Sequence, residues 1–133
     1  IRQDTGLPVE ITADDLSVDQ TTDTAIFSGN VLIGQGEMRL TAARVLVVYR
    51  AESEGIARLE ATGGVTLVSG PDAAESDRAD YNIDTGTIVM SGNVLLVQGR
   101  NALSSDKMSV NLSDGTAQMT GRVKTVLQTG TKN

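Results

Sequence analysis

The tetrapeptide Ser28-Gly29-Asn30-Val31 returns as Thr62-Gly63-Gly64-Val65, Ser91-Gly92-Asn93-Val94 and Thr120-Gly121-Arg122-Val123, a Ser/Thr-Gly-x-Val skeleton met four times in one chain. The glycines stand 34, 29 and 29 residues apart. Ala13, Ala42, Ser76 and Ser105 open four similar segments at spacings of 29, 34 and 29. Self-similarity at a fixed period is the mark of a repeat architecture. The unit is 29 residues in four copies, with a five-residue insertion in the second around Arg50-Ala51-Glu52-Ser53-Glu54-Gly55. That stretch is polar, as a lengthened surface turn should be.

Within each unit the apolar period is two, the signature of a half-buried strand. Around the glycines one parity reads Ala25, Phe27, Val31, Ile33 in the first copy and Leu59, Ala61, Val65, Leu67 in the second. The third copy has Ile88, Met90, Val94, Leu96 and the fourth Ala117, Met119, Val123, Thr125. The other parity is mostly polar, as in Arg58, Glu60, Thr62 and Thr66. The opening segments alternate too, but change parity: Leu40 and Ala42 give way to Val45 and Val47, and Leu103 and Ser105 to Met108 and Val110. A parity change in register predicts a bulge or corner that keeps the apolar side inward as the strand bends. Asp84-Thr85-Gly86 and Ser113-Asp114-Gly115 are short Gly-ended connections suited to antiparallel hairpins. Pro8 and Pro71 each stand just ahead of a strand, where a missing N–H costs little.

The expected fold is all-β: a folded-over antiparallel β-jelly roll of four 29-residue repeats, each of two long bent strands, with the apolar faces of two layers opposed. A single domain spans residues 7–128, flanked by polar termini at 1–6 and 129–133. If the layers do not close, the first and last strands keep open edges, which either pair head to tail with another copy or are capped by the polar termini.

Composition narrows the function. Among 133 residues there is no Cys, His or Trp, one Phe and two Tyr. Thiol nucleophiles, imidazole bases and the usual zinc, haem and iron–sulfur ligands are absent, so no cofactor or metal is expected and enzyme activity is disfavoured. Eleven Lys and Arg against 17 Asp and Glu give a net charge of −6, unsuited to a nucleic-acid partner. No run of about 18 apolar residues spans a bilayer. A chain opening at Ile1 without Met reads as processed or trimmed.

Two candidate sites stand out. The inward ladder comprises Phe27, Val31, Ile33, Leu40, Val45, Val47, Leu59, Val65, Leu67, Tyr81, Ile88, Met90, Val94, Leu96, Met108, Val110, Met119 and Val123. It is either an ordinary packed core or the lining of a lipid groove; scarce aromatics and glycines at its centre leave space. A basic row, Arg44, Arg78 and Lys107, recurs beside Asp77 and Asp106, with Asp14 and Asp15 in the first copy. It reads as phosphate contacts at a groove mouth or, with more weight, as a surface ladder of ion pairs. Asp14-Asp15, Asp19 and Asp23 lack the spacing of an EF-hand, and solvated charge is their default.

The chain resembles the LptA/OstA proteins of lipopolysaccharide transport. The resemblance is carried by Phe27-Ser28-Gly29-Asn30-Val31 with Gln35-Gly36, by Leu40-Thr41-Ala42-Ala43-Arg44-Val45, and by Val89-Met90-Ser91-Gly92-Asn93-Val94 with Gln98-Gly99. The closing Arg122-Val123-Lys124-Thr125-Val126-Leu127 is similar to the family's last strand. The resemblance implies a periplasmic protein whose apolar interior shields lipid A acyl chains. It further implies head-to-tail strand pairing with itself, with an LptC-like inner-membrane protein and with an LptD-like outer-membrane protein; the repeat also occurs in LptC-like and LptD N-terminal domains. The alternative is a structural adaptor or oligomerisation domain with a packed core and no lipid cargo.

Overall fold

The computed structural model describes residues 6–50 and 55–127. The expected polar termini lie outside these residues apart from Gly6, and so do residues 51–54 at the insertion. Arg50 N and Gly55 O flank that insertion and are hydrogen-bonded at 2.9 Å.

Ten strands and no helix make up the described chain: β1 (Glu10–Thr12), β2 (Asp15–Asp19), β3 (Thr24–Gln35), β4 (Met38–Tyr49), β5 (Ile56–Ser69), β6 (Asp72–Asn82), β7 (Thr87–Gln98), β8 (Asn101–Asn111), β9 (Thr116–Thr120) and β10 (Lys124–Val126). All pairings are antiparallel and follow chain order. β1 and β2 pair with successive halves of β3, and β9 and β10 with successive halves of β8, so each outer pair acts as one broken strand. The sheet is an open meander, with β1 and β2 on one edge and β9 and β10 on the other.

Every long strand is bent near its middle. The ladders shift register between Ser28/Val31, Thr41/Arg44, Thr62/Val65, Glu75/Arg78 and Ser91/Val94. These are the places where the sequence changes parity or carries Gly-x. The cause is local. Gly92 and Asn93 hold φ of 82° and 51°, and Gly29 with Asn30 hold 81° and 49°. Two successive left-handed residues turn a strand sharply, and Gly followed by Asn is the pair that tolerates this best. On the other strands of the bend, Ser76 and Ser105 are buried, and their hydroxyls donate to the carbonyls of Arg78 and Lys107 at 2.8 and 2.9 Å. That bond satisfies a polar group which the bend turns inward.

The bend gives each strand two limbs whose apolar faces oppose each other. One cross-strand row runs Ile11, Ile33, Leu40, Leu67, Ala74, Leu96, Leu103, Thr125 along the first limb. Another runs Leu16, Phe27, Val45, Ala61, Ala79, Met90, Met108, Met119 along the second. The middle of each row is buried: Leu67 in the first and Val45, Met90 and Met108 in the second are 0% exposed. At about 25 cal/mol per Å² of buried apolar surface, these rows are the main source of stability.

Candidate functional site

The interior between the limbs is the candidate site. Of the 18 residues expected to face it, fifteen lie in the buried apolar core, and Phe27 and Met119 pack against it half-buried. Val123 departs from the expectation. It lies outside the strands and is 50% exposed. Its parity is that of the inner face, but it stands at the edge of the sheet, where no further strand covers it among the described residues. The same edge effect leaves Leu16 and Val18 exposed at the other end, although they pair with Phe27 and Ala25.

The interior is closed at its centre and opens near the β9–β10 edge. A cavity of about 280 Å³ is lined there by Leu96, Gln98 and Leu103 from one limb and Val110, Gly115, Ala117 and Met119 from the other. Its lining side chains are apolar but for Gln98, while polar atoms, backbone included, make up nearly half of the exposed wall. Such a surface binds hydrocarbon through water exclusion and offers it no chemistry.

One polar chain crosses the interior. The Tyr81 hydroxyl donates to Gln35 Oε1 at 2.7 Å, and Gln35 Nε2 donates to the Leu7 carbonyl at 2.9 Å. Burial pushes the Tyr81 phenol above its ordinary value of 10.0, and the bond that the neutral hydroxyl donates to Gln35 favours the same protonated form. Among the described residues no buried side-chain nitrogen or oxygen lacks a partner. Sequence periodicity could place Tyr81 inside but could not reveal a partner 46 positions away.

The basic row lies on the outer face, close to the bend. Arg44, Arg78 and Lys107 occupy one cross-strand line with Thr62 and Ser91 between them. Alternate strands put successive members roughly 10 Å apart, so they do not converge on one anion. Arg78 donates to Glu60 Oε1 at 2.7 Å and to both Asp80 oxygens at 3.2 Å. Its guanidinium is held further above its usual value, first by the Asp80 bond.

The neighbouring aspartates have a role that sequence reading missed. Asp14, Asp77 and Asp106 accept hydrogen bonds across the bend from Asn30 at 2.9 Å, Asn93 at 3.0 Å and Arg122 at 2.7 Å. The Arg122 bonds hold the Asp106 carboxyl below its ordinary value. In three of the four copies the residue after the bend glycine is thus the partner of the Asp after the opener, a signal present in the repeat itself; in the second, Ala43 and Gly64 take these places. Among the described residues no group of three or more His, Cys, Asp or Glu is placed to hold a metal. No helix there is long and apolar enough to cross a membrane.

Comparison with known proteins agrees with this architecture. The chain superposes on LptH of Pseudomonas aeruginosa, described as the LptA homologous periplasmic component of the conserved lipopolysaccharide transport device, with a TM-score of 0.85 over 95% of this chain and 99% of that one. Identity is 17%, so the likeness establishes the fold. An uncharacterized protein of Rhizobium meliloti is 31% identical over 90 residues, which are 62% of this chain and 48% of the relative. The chain spans about half the length of that relative. The family model of the LptA/(LptD N-terminal domain) LPS transport proteins matches residues 10–127, and the chain belongs to that family.

Proposed function

We propose that this is a periplasmic lipopolysaccharide-binding transfer protein that shields lipid A acyl chains between its two limbs. In this reading it bridges an LptC-like inner-membrane protein and an LptD-like outer-membrane protein by head-to-tail strand pairing. The observation that carries the reading is the continuity of the inner apolar rows from one open edge to the other, where Leu16, Val18 and Val123 emerge 50–59% exposed. A wall continued by a second copy would extend the same surface, with Thr125 as the one polar member of the two rows. Each acyl CH₂ withdrawn from water contributes about 0.8 kcal/mol. Passing a chain between two such walls exchanges like for like, so an aliphatic surface suffices and no catalytic group is required. The energy for transport comes from elsewhere.

The test is site-specific photo-crosslinking with lipopolysaccharide. Crosslinkers at Phe27, Ile33, Leu67 and Leu96 should capture it, and those at Glu60 and Lys124 on the outer face should not. Equal labelling of both sets would remove the interior from consideration.

The dense centre favours a second reading, a structural adaptor with a packed core: Val47, Leu67 and Met108 are 0% exposed. It predicts rods that grow with concentration and carry no lipid in native mass spectrometry.

A further inference from the structure

Gln35 and Tyr81 are among the most deeply buried side chains, at 1% and 2% exposure, and both are polar. Gln35 ends β3 beside the turn at Gly36, and Tyr81 stands one residue from the end of β6. Their 2.7 Å bond therefore ties the free end of one limb to the free end of the other, and Gln35 Nε2 fastens the N-terminal segment at Leu7 over the same place. Packing alone does not call for such a pair. Hydrocarbon side chains of similar volume would fill the space without desolvating an amide and a phenol. What a hydrogen bond offers instead is exchange for another hydrogen bond. Gln98, 63 residues after Gln35 and in the same Gln-Gly dipeptide, lines the cavity at the opposite end of the interior and is exposed there.

We propose that Gln35 and Tyr81 form a polar latch across the interior. An acylated amphiphile entering this half of the protein opens the latch by giving the two side chains the amide or ester group at the root of its acyl chain. The proposal rests on the reading that the interior takes such an amphiphile. A bare hydrocarbon tail that parts the pair strands the Tyr81 phenol in an apolar site and takes the phenol away from Gln35 Oε1, which is unfavourable. The latch thus selects for cargo with hydrogen-bonding groups near its chains, and keeps the limbs together when none is present.

Two matched probes test this on the whole chain: N-dodecanoylglucosamine and dodecyl glucoside, each titrated below its micelle concentration by displacement of a polarity-sensitive dye. Each carries a hexose and a twelve-carbon chain, joined through an amide in the first and through the glycosidic oxygen in the second. The unaltered protein should prefer the amide probe. The paired variant Gln35→Met with Tyr81→Phe has no latch and neither polar side chain of the pair, and it releases the Leu7 carbonyl; it should bind dodecyl glucoside roughly tenfold tighter and lose the preference, about one net hydrogen bond. Should the pair fail to melt cooperatively, Tyr81→Phe alone, isosteric with the original, must still narrow the preference. An unchanged ratio between the probes, whatever the absolute affinities, overturns the latch and leaves lipid binding standing. Failure of the unaltered protein to bind either probe overturns lipid binding and the latch with it.

Discussion

The Asp77 carboxylate lies so close over Gly92 that a Cβ built on the glycine would stand 2.5 Å from Asp77 Oδ2. The same relation joins Asp14 with Gly29 at 2.7 Å and Asp106 with Gly121 at 2.6 Å. Glycine is required twice over at Gly92, by a φ of 82° and by the side chain packed against it. Gly64 shares the first requirement alone: its φ is 86°, and nothing lies within 4 Å of its added Cβ. Gly92→Ala should therefore cost about 2–4 kcal/mol, and Gly64→Ala about 1–2 kcal/mol. Urea denaturation of the two variants measures the difference; equal losses would mean that the Asp77 contact does not restrict the bend.

Much of this fold was legible in the chain because a strand that bends must declare it. A straight half-buried strand keeps one parity. The step from Ala42 to Val45 breaks it, and the ladder shifts between Thr41 and Arg44. The partners of Asp77 and Asp106 were not legible in the same way. Alternation assigns a charged residue to the wet face and stops there, whereas a bend folds Asn93 and Arg122 back over the ladder to meet them. Val123 failed for a different reason. Parity fixes the face on which a residue lies, but burial also needs a neighbouring strand, and none lies beyond β10 among the described residues. The Gln35–Tyr81 bond lies furthest from sequence reasoning, since it depends on how two limbs of one twisted sheet come to face each other.

Asp106 and Arg122 make an exposed pair whose protonation can be followed directly. Bonds from Arg122 hold the Asp106 carboxyl below 3.8, so whatever the pair contributes is present above the ordinary carboxylate range and is lost as pH falls through the lowered value. The Asp106 carboxyl carbon resonance should titrate below 3.8 in the unaltered protein and return to about 3.8 in Arg122→Gln. Identical titrations in the two proteins would show that the hydrogen bonds do not persist in solution.

Tyr81 carries a pH dependence of opposite sign. Its folded phenol ionises above 10.0, so its neutral form is the one the interior holds; that stability is complete below 10.0 and is lost as pH rises through the higher folded value. Tyr81→Phe leaves Gln35 Oε1 without the phenol and should cost about 1–2 kcal/mol at neutral pH. In urea titrations from neutral pH to above 10.0, the gap between the two proteins should shrink as the native phenol ionises. A gap constant across that range would place Tyr81 in contact with water.

The two edges of the sheet differ in what they expose, and this decides how copies could join. Val18 on β2 is 59% exposed and Val126 on β10 is 48% exposed, each on a strand whose outer side has no neighbour among the described residues. An edge with such side chains invites pairing, and a charge placed there opposes it, because each junction would then have to desolvate an unpaired ammonium group. Val18→Lys and Val126→Lys should each abolish concentration-dependent growth in light scattering. Their unfolding free energies should move by no more than about 0.5 kcal/mol, as for exposed positions in general. The contacts are heterologous, so equal amounts of the two variants, each with one intact edge, should recover dimers and nothing longer. Rods from either single variant would place the junction elsewhere on the surface, and a mixture that stays monomeric would mean that the remaining edges do not complement each other.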